Sequence, residues 1–210
     1  MKIVHVGSTG LVGRLVLQRL LAHPQIAQVI APTRRALGSA HPRLLNPVVD
    51  FDALPEDAEW WSVDAVICTL GTTIKQADSK DAFRRVDHGY PLHVARLART
   101  RGARTYALNS AVGANAGSAI FYNQVKGELE AALTALDYPS LVLVQPGLID
   151  GQREEHRPGE AFALSVSRAL RPLLPTKWRP SRAERIADAL VEAALHAPPG
   201  RTVIGPALLA

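Results

Sequence analysis

Three glycines at the start of the chain, spaced three residues apart, constrain its fold more than any other feature. A short apolar run at residues 3–6 leads directly into Gly7-Ser-Thr-Gly10-Leu-Val-Gly13, and a helical pattern follows at once. A strand, a tight turn and a helix N-terminus in this order can bind a pyrophosphate. Gly7 would make the turn, Gly10 would let the backbone approach a phosphate, and Gly13 would let the helix sit close to the sheet. The alternative is a glycine turn that binds nothing.

Strand and helix patterns alternate along the rest of the chain. Short, almost entirely apolar runs are typical of parallel strands that are buried on both faces. The predicted fold is therefore α/β, a Rossmann-type doubly wound parallel sheet with helices on both faces. The predicted strands cover residues 3–6, 28–31, 47–51, 63–70, 104–108, 141–144 and 201–204. The predicted helices cover residues 14–22, 54–62, 83–101 and 122–136, and a last helix runs from the capping box Ser181-Arg-Ala-Glu184 to about residue 196.

One segment departs from this alternation. Residues 146–180 begin at Pro146-Gly147 and are irregular, apart from a possible helix at 161–171. Because ligands bind beyond the carboxyl ends of parallel strands, this segment is predicted to be a small substrate-side lid within a single domain, 1–210. Its apolar residues suit a lid or a dimer contact better than a membrane surface, so a monomer or a homodimer is expected.

Composition narrows the classes of function. The net charge is +5, but the arginines are spread along the chain without a basic run, which argues against nucleic-acid binding. Cys68 is the only cysteine, within an apolar run that predicts a buried inert thiol, and the seven histidines lack the spacing of a metal site, so no metal is predicted. The chain begins with its first strand, which leaves no room for a signal peptide, and no apolar run reaches the roughly 18 residues of a membrane span. A soluble cytoplasmic protein with neither a nucleic-acid nor a membrane partner is expected.

The residues that follow the second predicted strand indicate which dinucleotide would bind. An NAD site places an acidic residue there to accept hydrogen bonds from the ribose 2′-hydroxyl. This chain has Thr33-Arg34-Arg35 instead, and two guanidinium groups suit a 2′-phosphate. NADP, as NADPH, is favoured over NAD, the alternative being that both arginines are solvated loop residues. The predicted cofactor-binding residues are Gly7, Thr9, Gly10, Leu11, Val12 and Gly13, then Arg34 and Arg35, then Asp50 and Phe51 at the adenine edge, then Leu70, Gly71 and Thr72.

A candidate catalytic set lies in the second half of the chain. Tyr122 and Lys126 are four residues apart at the start of a predicted helix, so they share a face. Ser110 lies twelve residues before the tyrosine, at the end of the preceding predicted strand. Both parts would lie at the carboxyl edge of the sheet, where the glycine loop would place a cofactor. A catalytic triad is therefore favoured over a chance surface pair.

The chemistry of these side chains suggests their roles. A free phenol has a pKa near 10, and a neighbouring ammonium such as that of Lys126 would lower the pKa of Tyr122. Lys126 could also hold the nicotinamide ribose, and Ser110 would donate a hydrogen bond to a substrate carbonyl. Hydride would pass from the nicotinamide to the carbonyl carbon while Tyr122 protonates the oxygen, and oxidation of an alcohol is the reverse.

These motifs resemble the short-chain dehydrogenase/reductase superfamily, in particular its atypical, NAD(P)-binding branch. Segments similar to the Tat-interacting-protein oxidoreductase-like family are Cys68-Thr-Leu-Gly-Thr-Thr73, Arg85-Val-Asp87, the stretch from Tyr122 to Glu130, and Arg157-Pro-Gly-Glu160. The resemblance covers nearly the whole chain. It implies a Rossmann fold with NADPH bound, the roles given above for Ser110, Tyr122 and Lys126, and an approach of Pro146 and Gly147 to the nicotinamide amide. Many superfamily members build a proton relay on an asparagine of the fourth helix, where this chain offers Asp87 and His88.

Two functions of different classes are compatible with this pattern. The first is an NADPH-dependent oxidoreductase of the short-chain dehydrogenase/reductase type, which would transfer hydride to a small carbonyl or quinone substrate. The alternative is an NADPH-binding, redox-sensing regulatory protein with little or no turnover. The sequence favours the first because Ser110, Tyr122 and Lys126 would lie beside the glycine loop.

Overall fold

The computed structural model describes residues 1–150, 180–196 and 198–210. The possible helix at 161–171 and most of the proposed lid lie outside the described residues, so the single domain with a lid stays a prediction.

The described strands are β1 Lys2–Val6, β2 Gln28–Ile30, β3 Leu44–Leu45, β4 Ala65–Cys68, β5 Thr105–Asn109, β6 Ser140–Val144, β7 Ile149–Asp150, β8 Ser181–Arg182 and β9 Gly200–Ile204. Seven of them form one parallel sheet in the order β3-β2-β1-β4-β5-β6-β9, and β7 and β8 pair separately. The larger sheet contains the Rossmann order 3-2-1-4-5-6, which confirms the predicted fold class.

Helices cover both faces of the sheet. The described helices are α1 Leu11–Ala22, α2 Ile74–Ala77, α3 Lys80–Arg84, α4 Tyr90–Thr100, α5 Phe121–Thr134 and α6 Ala183–His196, with 3₁₀ turns at Glu59–Trp61 and Pro206–Leu208. No helix among these is long and apolar enough to cross a membrane.

Alternate residues of the central strands face opposite layers of helices. Along β4, Val66 and Cys68 join the apolar cluster that includes α4 and α5, whereas Ala65 and Ile67 join the cluster that includes α1 and α6. Burial on both faces explains why the strand is apolar throughout. Cys68 is buried as expected, and burial raises the pKa of its thiol, so it stays protonated in the core.

The third strand lies earlier than the sequence pattern predicts. Strand β3 pairs with β2 at Leu44–Leu45, and the predicted strand at 47–51 contributes only an isolated bridge from Val48 to Thr33. Proline has no N–H to donate to a sheet, so Pro47 interrupts the pairing. The side-chain amide of Asn46 donates to the carbonyl of Ala31 at 2.6 Å instead.

The predicted helix at 83–101 is interrupted. Helix α3 begins at Lys80, where the Ser79 hydroxyl caps it, and a π-helical turn at Arg85–Gly89 separates it from α4. The last helix, α6, lies where expected, but the predicted capping box is wrong: Ser181 belongs to strand β8 and its hydroxyl accepts from the N–H of Gly147 at 3.0 Å. The predicted helix at 54–62 is reduced to the 3₁₀ turn at Glu59–Trp61.

Candidate active site

The glycine loop joins β1 to α1, and its three glycines have different requirements. Gly7 has a φ of +92°, and a Cβ there would lie 2.5 Å from the carbonyl carbon of Thr69. A Cβ on Gly13 would lie 2.0 Å from the carbonyl oxygen of Gly7. A Cβ on Gly10 would meet only the same oxygen, at an ordinary 3.5 Å. Folding therefore demands glycine at positions 7 and 13, whereas Gly10 leaves open space at the N-terminus of the helix.

The N-terminus of α1 suits a phosphate. Gly10 is its N-cap residue, no side chain caps the helix, and its first turn holds no acidic residue. The first N–H groups of a helix have no partner within the helix, and together with the helix dipole they favour an anion. Thr9 and Gly10 are exposed, while Val12 and Gly13 pack inward. The loop thus has the geometry expected of a pyrophosphate turn.

A buried histidine, which the sequence analysis missed, supports this loop from below. His5 is completely buried, and burial lowers the pKa of its imidazole to about 3. The Thr69 hydroxyl donates to the carbonyl of Val6 at 3.0 Å, so its oxygen is left to accept from His5 Nε2 at 3.1 Å. The Ser8 hydroxyl lies 3.1 Å from His5 Nδ1 and donates to the carbonyl oxygen of His5 at the same distance. The neutral imidazole therefore ties the loop residue Ser8 to Thr69 at the end of β4.

The two arginines predicted to bind a 2′-phosphate follow β2 on a turn with a defined conformation. The Thr33 hydroxyl donates to the carbonyl of Arg35 at 2.7 Å and accepts from Asn46 Nδ2 at 2.8 Å. Asn46 Oδ1 accepts from the N–H of Leu37 at 2.9 Å. Arg34 and Arg35 are themselves exposed. The turn fixes the backbone that carries both guanidinium groups and leaves the groups open to solvent.

The predicted adenine-edge residues occupy different environments. Asp50 is exposed, and its carboxylate accepts from the N–H of Asp52 at 2.9 Å. The ring of Phe51 belongs to the core and lies 5.5 Å from the ring of Tyr90. The side chain of Asp50 is therefore available to a ligand, whereas Phe51 can offer only its backbone.

The chain that follows β4 passes next to a buried ion pair. Lys126 Nζ lies 2.8 Å from Asp87 Oδ1, and both side chains are almost fully buried. The other oxygen of Asp87 accepts from the N–H of Thr72 at 2.8 Å. A Cβ on Gly71 would lie 3.5 Å from Asp87 Oδ1 and 3.9 Å from Lys126 Nζ. Gly71 itself is exposed, so the buried pair lies directly behind a residue that faces solvent.

Asp87 owes its position to the π-helical turn between α3 and α4. One extra residue in a helical turn shifts the direction of the side chains that follow, and such turns are frequent at functional sites. Asp87 lies in this turn and points inward to Lys126 on α5. In the sequence, Asp87 lies near the asparagine position of related proteins, but the pattern there indicates no role for it.

The structure brings Tyr122 and Lys126 together, as the spacing predicts. Lys126 Nζ lies 6.0 Å from the centre of the Tyr122 ring, which also packs on Phe83. Burial raises the pKa of Tyr122; Lys126 acts in the opposite direction and Asp87 adds to the increase. Burial by itself would lower the pKa of Lys126, but Asp87 and Tyr122 together raise it above its usual value. The expected lowering of the phenol pKa is therefore absent, since burial outweighs a cation that Asp87 already neutralises.

In this structure, which holds no substrate, the Ser110 hydroxyl bonds to a carboxylate of the protein, and its predicted bond to a substrate carbonyl stays a prediction. The hydroxyl donates to Glu130 Oε1 at 2.5 Å, and the structure gives it no hydrogen bond to Tyr122 among the described residues. Ser110 follows β5 and Glu130 lies on α5, two turns after Tyr122. Glu130 also accepts from Gln145 Nε2 at 2.9 Å. Glu130 was not among the predicted site residues, although its spacing from Tyr122 and Lys126 places all three on one face of the helix.

Pro146 and Gly147 lie at the same edge of the sheet, directly after β6. The carbonyl of Pro146 accepts from the N–H of Val112 at 2.9 Å, and the N–H of Gly147 donates to Ser181 at 3.0 Å. Val112 follows Ser110 by two residues, so these bonds keep Pro146 beside the loop after β5. In the described structure, the backbone groups predicted to approach a nicotinamide amide are thus bonded to protein.

The chain is similar to proteins of known name across almost its whole length. No family model matches the chain. The mitochondrial protein Fmp52 of Emericella nidulans is 35% identical to it, over 95% of this chain and 90% of that protein. Protein HTATIP2 of Rattus norvegicus is 36% identical, over 82% of this chain and 71% of that protein.

The fold is similar to that of solved enzymes that bind nucleotide sugars, one of which is in complex with NAD. MoeE5 in complex with UDP-glucose and NAD superposes with a TM-score of 0.75 at 16% identity, covering 98% of this chain and 76% of that one. A UDP-glucose 4-epimerase from Thermotoga maritima superposes with a TM-score of 0.70 at 16% identity, covering 98% of this chain and 77% of that one. These likenesses support the Rossmann fold.

The names of the relatives correct one prediction. Fmp52 proteins of Emericella nidulans and Aspergillus fumigatus are both named mitochondrial, so the predicted cytoplasmic location is wrong. That prediction was drawn from the lack of a recognisable leader and of an apolar span, and neither feature identifies a compartment. The sequence identity and coverage place the chain in the family of Fmp52 and HTATIP2, the Tat-interacting-protein oxidoreductase-like family, within the atypical, NAD(P)-binding branch of the short-chain dehydrogenase/reductase superfamily.

Proposed function

We propose that this chain is an NADPH-dependent oxidoreductase that transfers hydride to a small carbonyl or quinone substrate. The observation that carries this proposal is the buried Lys126–Asp87 pair, which lies one helical turn from Tyr122 and next to Gly71. An ammonium that is buried and paired in this way is costly to maintain as a mere structural element. Perturbed titratable groups of this kind concentrate in active sites.

The open space in the glycine loop fits the proposed cofactor. Gly7, Thr9, Gly10, Leu11, Val12 and Gly13 would hold the pyrophosphate, since Gly10 leaves room above the uncapped N-terminus of α1. Arg34 and Arg35 would bind the 2′-phosphate, and Asp50 with the backbone of Phe51 would contact the adenine. Leu70, Gly71 and Thr72 would pass along the dinucleotide, and Pro146 and Gly147 would border the nicotinamide. When bound, NADPH supplies the hydride.

The catalytic roles then belong to side chains of α5 and its neighbours. The phenol of Tyr122 is protonated at neutral pH, so it can donate a proton to a carbonyl oxygen; burial raises its pKa, and the positive charge of Lys126 acts in the opposite direction. Lys126 would stabilise the phenolate left after that transfer and would hold a ribose hydroxyl. Asp87 fixes the ammonium in place through Oδ1 while its Oδ2 fixes the loop at Thr72.

Replacing Tyr122 with phenylalanine is expected to lower kcat by about 100-fold or more, because general acid catalysis typically contributes that much. NADPH oxidation over a panel of small carbonyls and quinones measures the effect. Tyr138→Phe is the matched control, because it removes another tyrosine hydroxyl, one that donates to the Ala95 carbonyl outside the site. NADPH binding without any Tyr122-dependent turnover would contradict the oxidoreductase and favour the redox-sensing alternative.

NADPH is expected to raise the melting temperature more than NADH at the same concentration, since a ligand of the folded state stabilises it by mass action. Arg34→Ala and Arg35→Ala should each weaken NADPH binding by about tenfold while changing NADH binding little, because a hydrogen bond between charged groups contributes about 1.5–3 kcal/mol. Arg96→Ala, which removes an exposed arginine on α4, serves as the control. Equal shifts with both cofactors in the unmodified protein would contradict the assignment of NADPH.

A further inference from the structure

Asn109, the last residue of β5, carries a side-chain amide whose oxygen the protein leaves unpaired. The Oδ1 atom is buried, and none of the residues that the structure describes donates a hydrogen bond to it. The residue as a whole is only partly buried. Most buried polar atoms in proteins have a partner, because an unmade hydrogen bond in the interior is costly. A buried amide oxygen that lacks one is therefore a candidate for contact with a ligand.

The pairing of the central strands places this amide between the glycine loop and the loop after β6. In the register of the sheet, Asn109 pairs with Val144 of β6 and lies next to Thr69, which directly follows β4. Thr69 borders the glycine loop, since a Cβ on Gly13 would lie 2.9 Å from its hydroxyl oxygen. Val144 ends β6, two residues before Pro146. Asn109 thus lies between the loop predicted to bind the pyrophosphate and the loop predicted to border the nicotinamide.

The amide also lies on the same face of the sheet as the N-terminus of α1. Side chains alternate along β5, and Ala107 packs in the layer that contains α1 and α6. Asn109, two residues later, faces that layer too, whereas Ser110 turns to Glu130 on α5. The residues on the two faces could therefore contact one cofactor at the carboxyl edge from opposite sides.

We propose that Asn109 binds the carboxamide of the nicotinamide ring, an inference that rests on the proposed binding of NADPH. A side-chain amide offers an acceptor oxygen and donor hydrogens, and a carboxamide offers the same set, so the two can pair through two hydrogen bonds. A phosphate offers acceptor oxygens and would leave Oδ1 unpaired. The carbonyl of Pro146 and the N–H of Gly147 are bonded to protein, so they do not compete for the carboxamide.

Three ligands that share the phosphorylated adenosine end isolate this contact. They are NADP+, its nicotinic acid analogue, in which a carboxylate replaces the carboxamide, and adenosine 2′,5′-bisphosphate, which lacks the nicotinamide half. Calorimetric titration measures the dissociation constant of each without turnover. The unmodified protein should bind NADP+ about tenfold more tightly than the acid analogue, because a carboxylate cannot donate a hydrogen bond to Oδ1.

Two substitutions of Asn109 should shift this preference for NADP+ in opposite directions. Asn109→Leu keeps a similar size but has no hydrogen-bonding group, so it should weaken the binding of NADP+ about tenfold and reduce the preference to about one. Asn109→Asp should raise the preference, because its carboxylate still accepts from the carboxamide and repels the carboxylate of the acid analogue. Neither variant should change the affinity for the bisphosphate, whereas a general structural defect would weaken the binding of all three ligands.

The ligand-free protein should tolerate the loss of this amide. Since Oδ1 has no hydrogen-bond partner in the described part of the chain, Asn109→Leu should not lower the melting temperature measured without ligand. Asn115→Leu is the matched control, because the amide oxygen of Asn115 accepts from the N–H of Gly117 at 2.9 Å within an exposed loop. This control should leave the dissociation constants of all three ligands unchanged.

The contact and the proposed cofactor can fail separately. If NADP+ binds equally well to Asn109→Leu and to the unmodified protein, the inference is overturned and the binding of NADPH is not. If Asn109→Leu does not fold, Asn109→Asp still decides, because a preference that does not rise would overturn the contact. If the unmodified protein binds neither NADP+ nor the bisphosphate, the proposed cofactor is refuted, and this inference with it.

Discussion

Replacing Asp87 with alanine is expected to lower the free energy of unfolding by about 3–5 kcal/mol, the usual cost of removing one partner of a buried ion pair. Lys126 is only 3% exposed, so its ammonium would lose its counter-ion without gaining water. The N–H of Thr72 would lose its acceptor at the same time. Urea unfolding of the cofactor-free protein at neutral pH measures the change. The expected loss is a large part of the roughly 5–15 kcal/mol that stabilises a domain.

A double-mutant cycle assigns this loss to the pair. Lys126→Met should also be strongly destabilising, because it leaves the Asp87 carboxylate buried and unpaired. The double variant Asp87→Ala/Lys126→Met should be clearly more stable than the sum of the two single losses implies, since neither charge is then left alone. Asp87→Asn is the milder matched variant, because its amide oxygen can still accept from Thr72. Losses that simply add would show that Asp87 does not stabilise Lys126.

The fold class could be predicted from the sequence because apolar runs that alternate with helical periodicity are typical of parallel strands with helices on both faces. Right-handed crossovers then reduce the number of strand orders that are possible. The error at the third strand has a local cause. Pairing with β2 breaks at Pro47, and the amide of Asn46 supplies the hydrogen bond that Pro47 cannot give to Ala31. A count of apolar residues does not reveal which backbone donor is missing.

The candidate site could be predicted only in its outline. The spacing of Tyr122 and Lys126 fixes their shared helix face, so their proximity could be predicted from the sequence alone. The direction in which the pKa of Tyr122 shifts could not be predicted, because it depends on burial and on Asp87. Asp87 lies in the π-helical turn between α3 and α4, far from Tyr122 in the sequence. The partner of Ser110 is likewise a matter of tertiary packing. A signal did exist for Glu130, which continues the spacing of Tyr122 and Lys126 by four more residues.

A second missed residue, His5, could have been noticed as a polar side chain inside an apolar strand that is buried on both faces. Its imidazole predicts a strong dependence of stability on pH. The pKa of His5 is lowered by burial from 6.5 to about 3 in the folded protein. Between these values the unfolded chain binds a proton at His5 and the folded chain does not. The free energy of unfolding must therefore fall as the pH falls below about 6.5.

The expected loss from His5 is about 3 kcal/mol at about pH 4.5 and on the order of 5 kcal/mol near pH 3, because each pKa unit corresponds to about 1.4 kcal/mol. Urea unfolding at several pH values between about 7.5 and 4.5 measures how the free energy of unfolding changes with pH. Other groups also titrate in this range, so the informative quantity is the difference between the unmodified protein and His5→Gln. Glutamine keeps a polar group for Thr69 and cannot take up a proton, so the variant should be less stable at neutral pH but should have a much flatter slope.

His196→Gln is the matched control, since His196 is exposed at the end of α6 and its ring lies 3.1 Å from the carboxylate of Glu192. Its pH slope should stay close to that of the unmodified protein. If the free energy of unfolding of His5→Gln depended on pH as steeply as that of the unmodified protein, the buried imidazole would not be the cause of the loss of stability in acid.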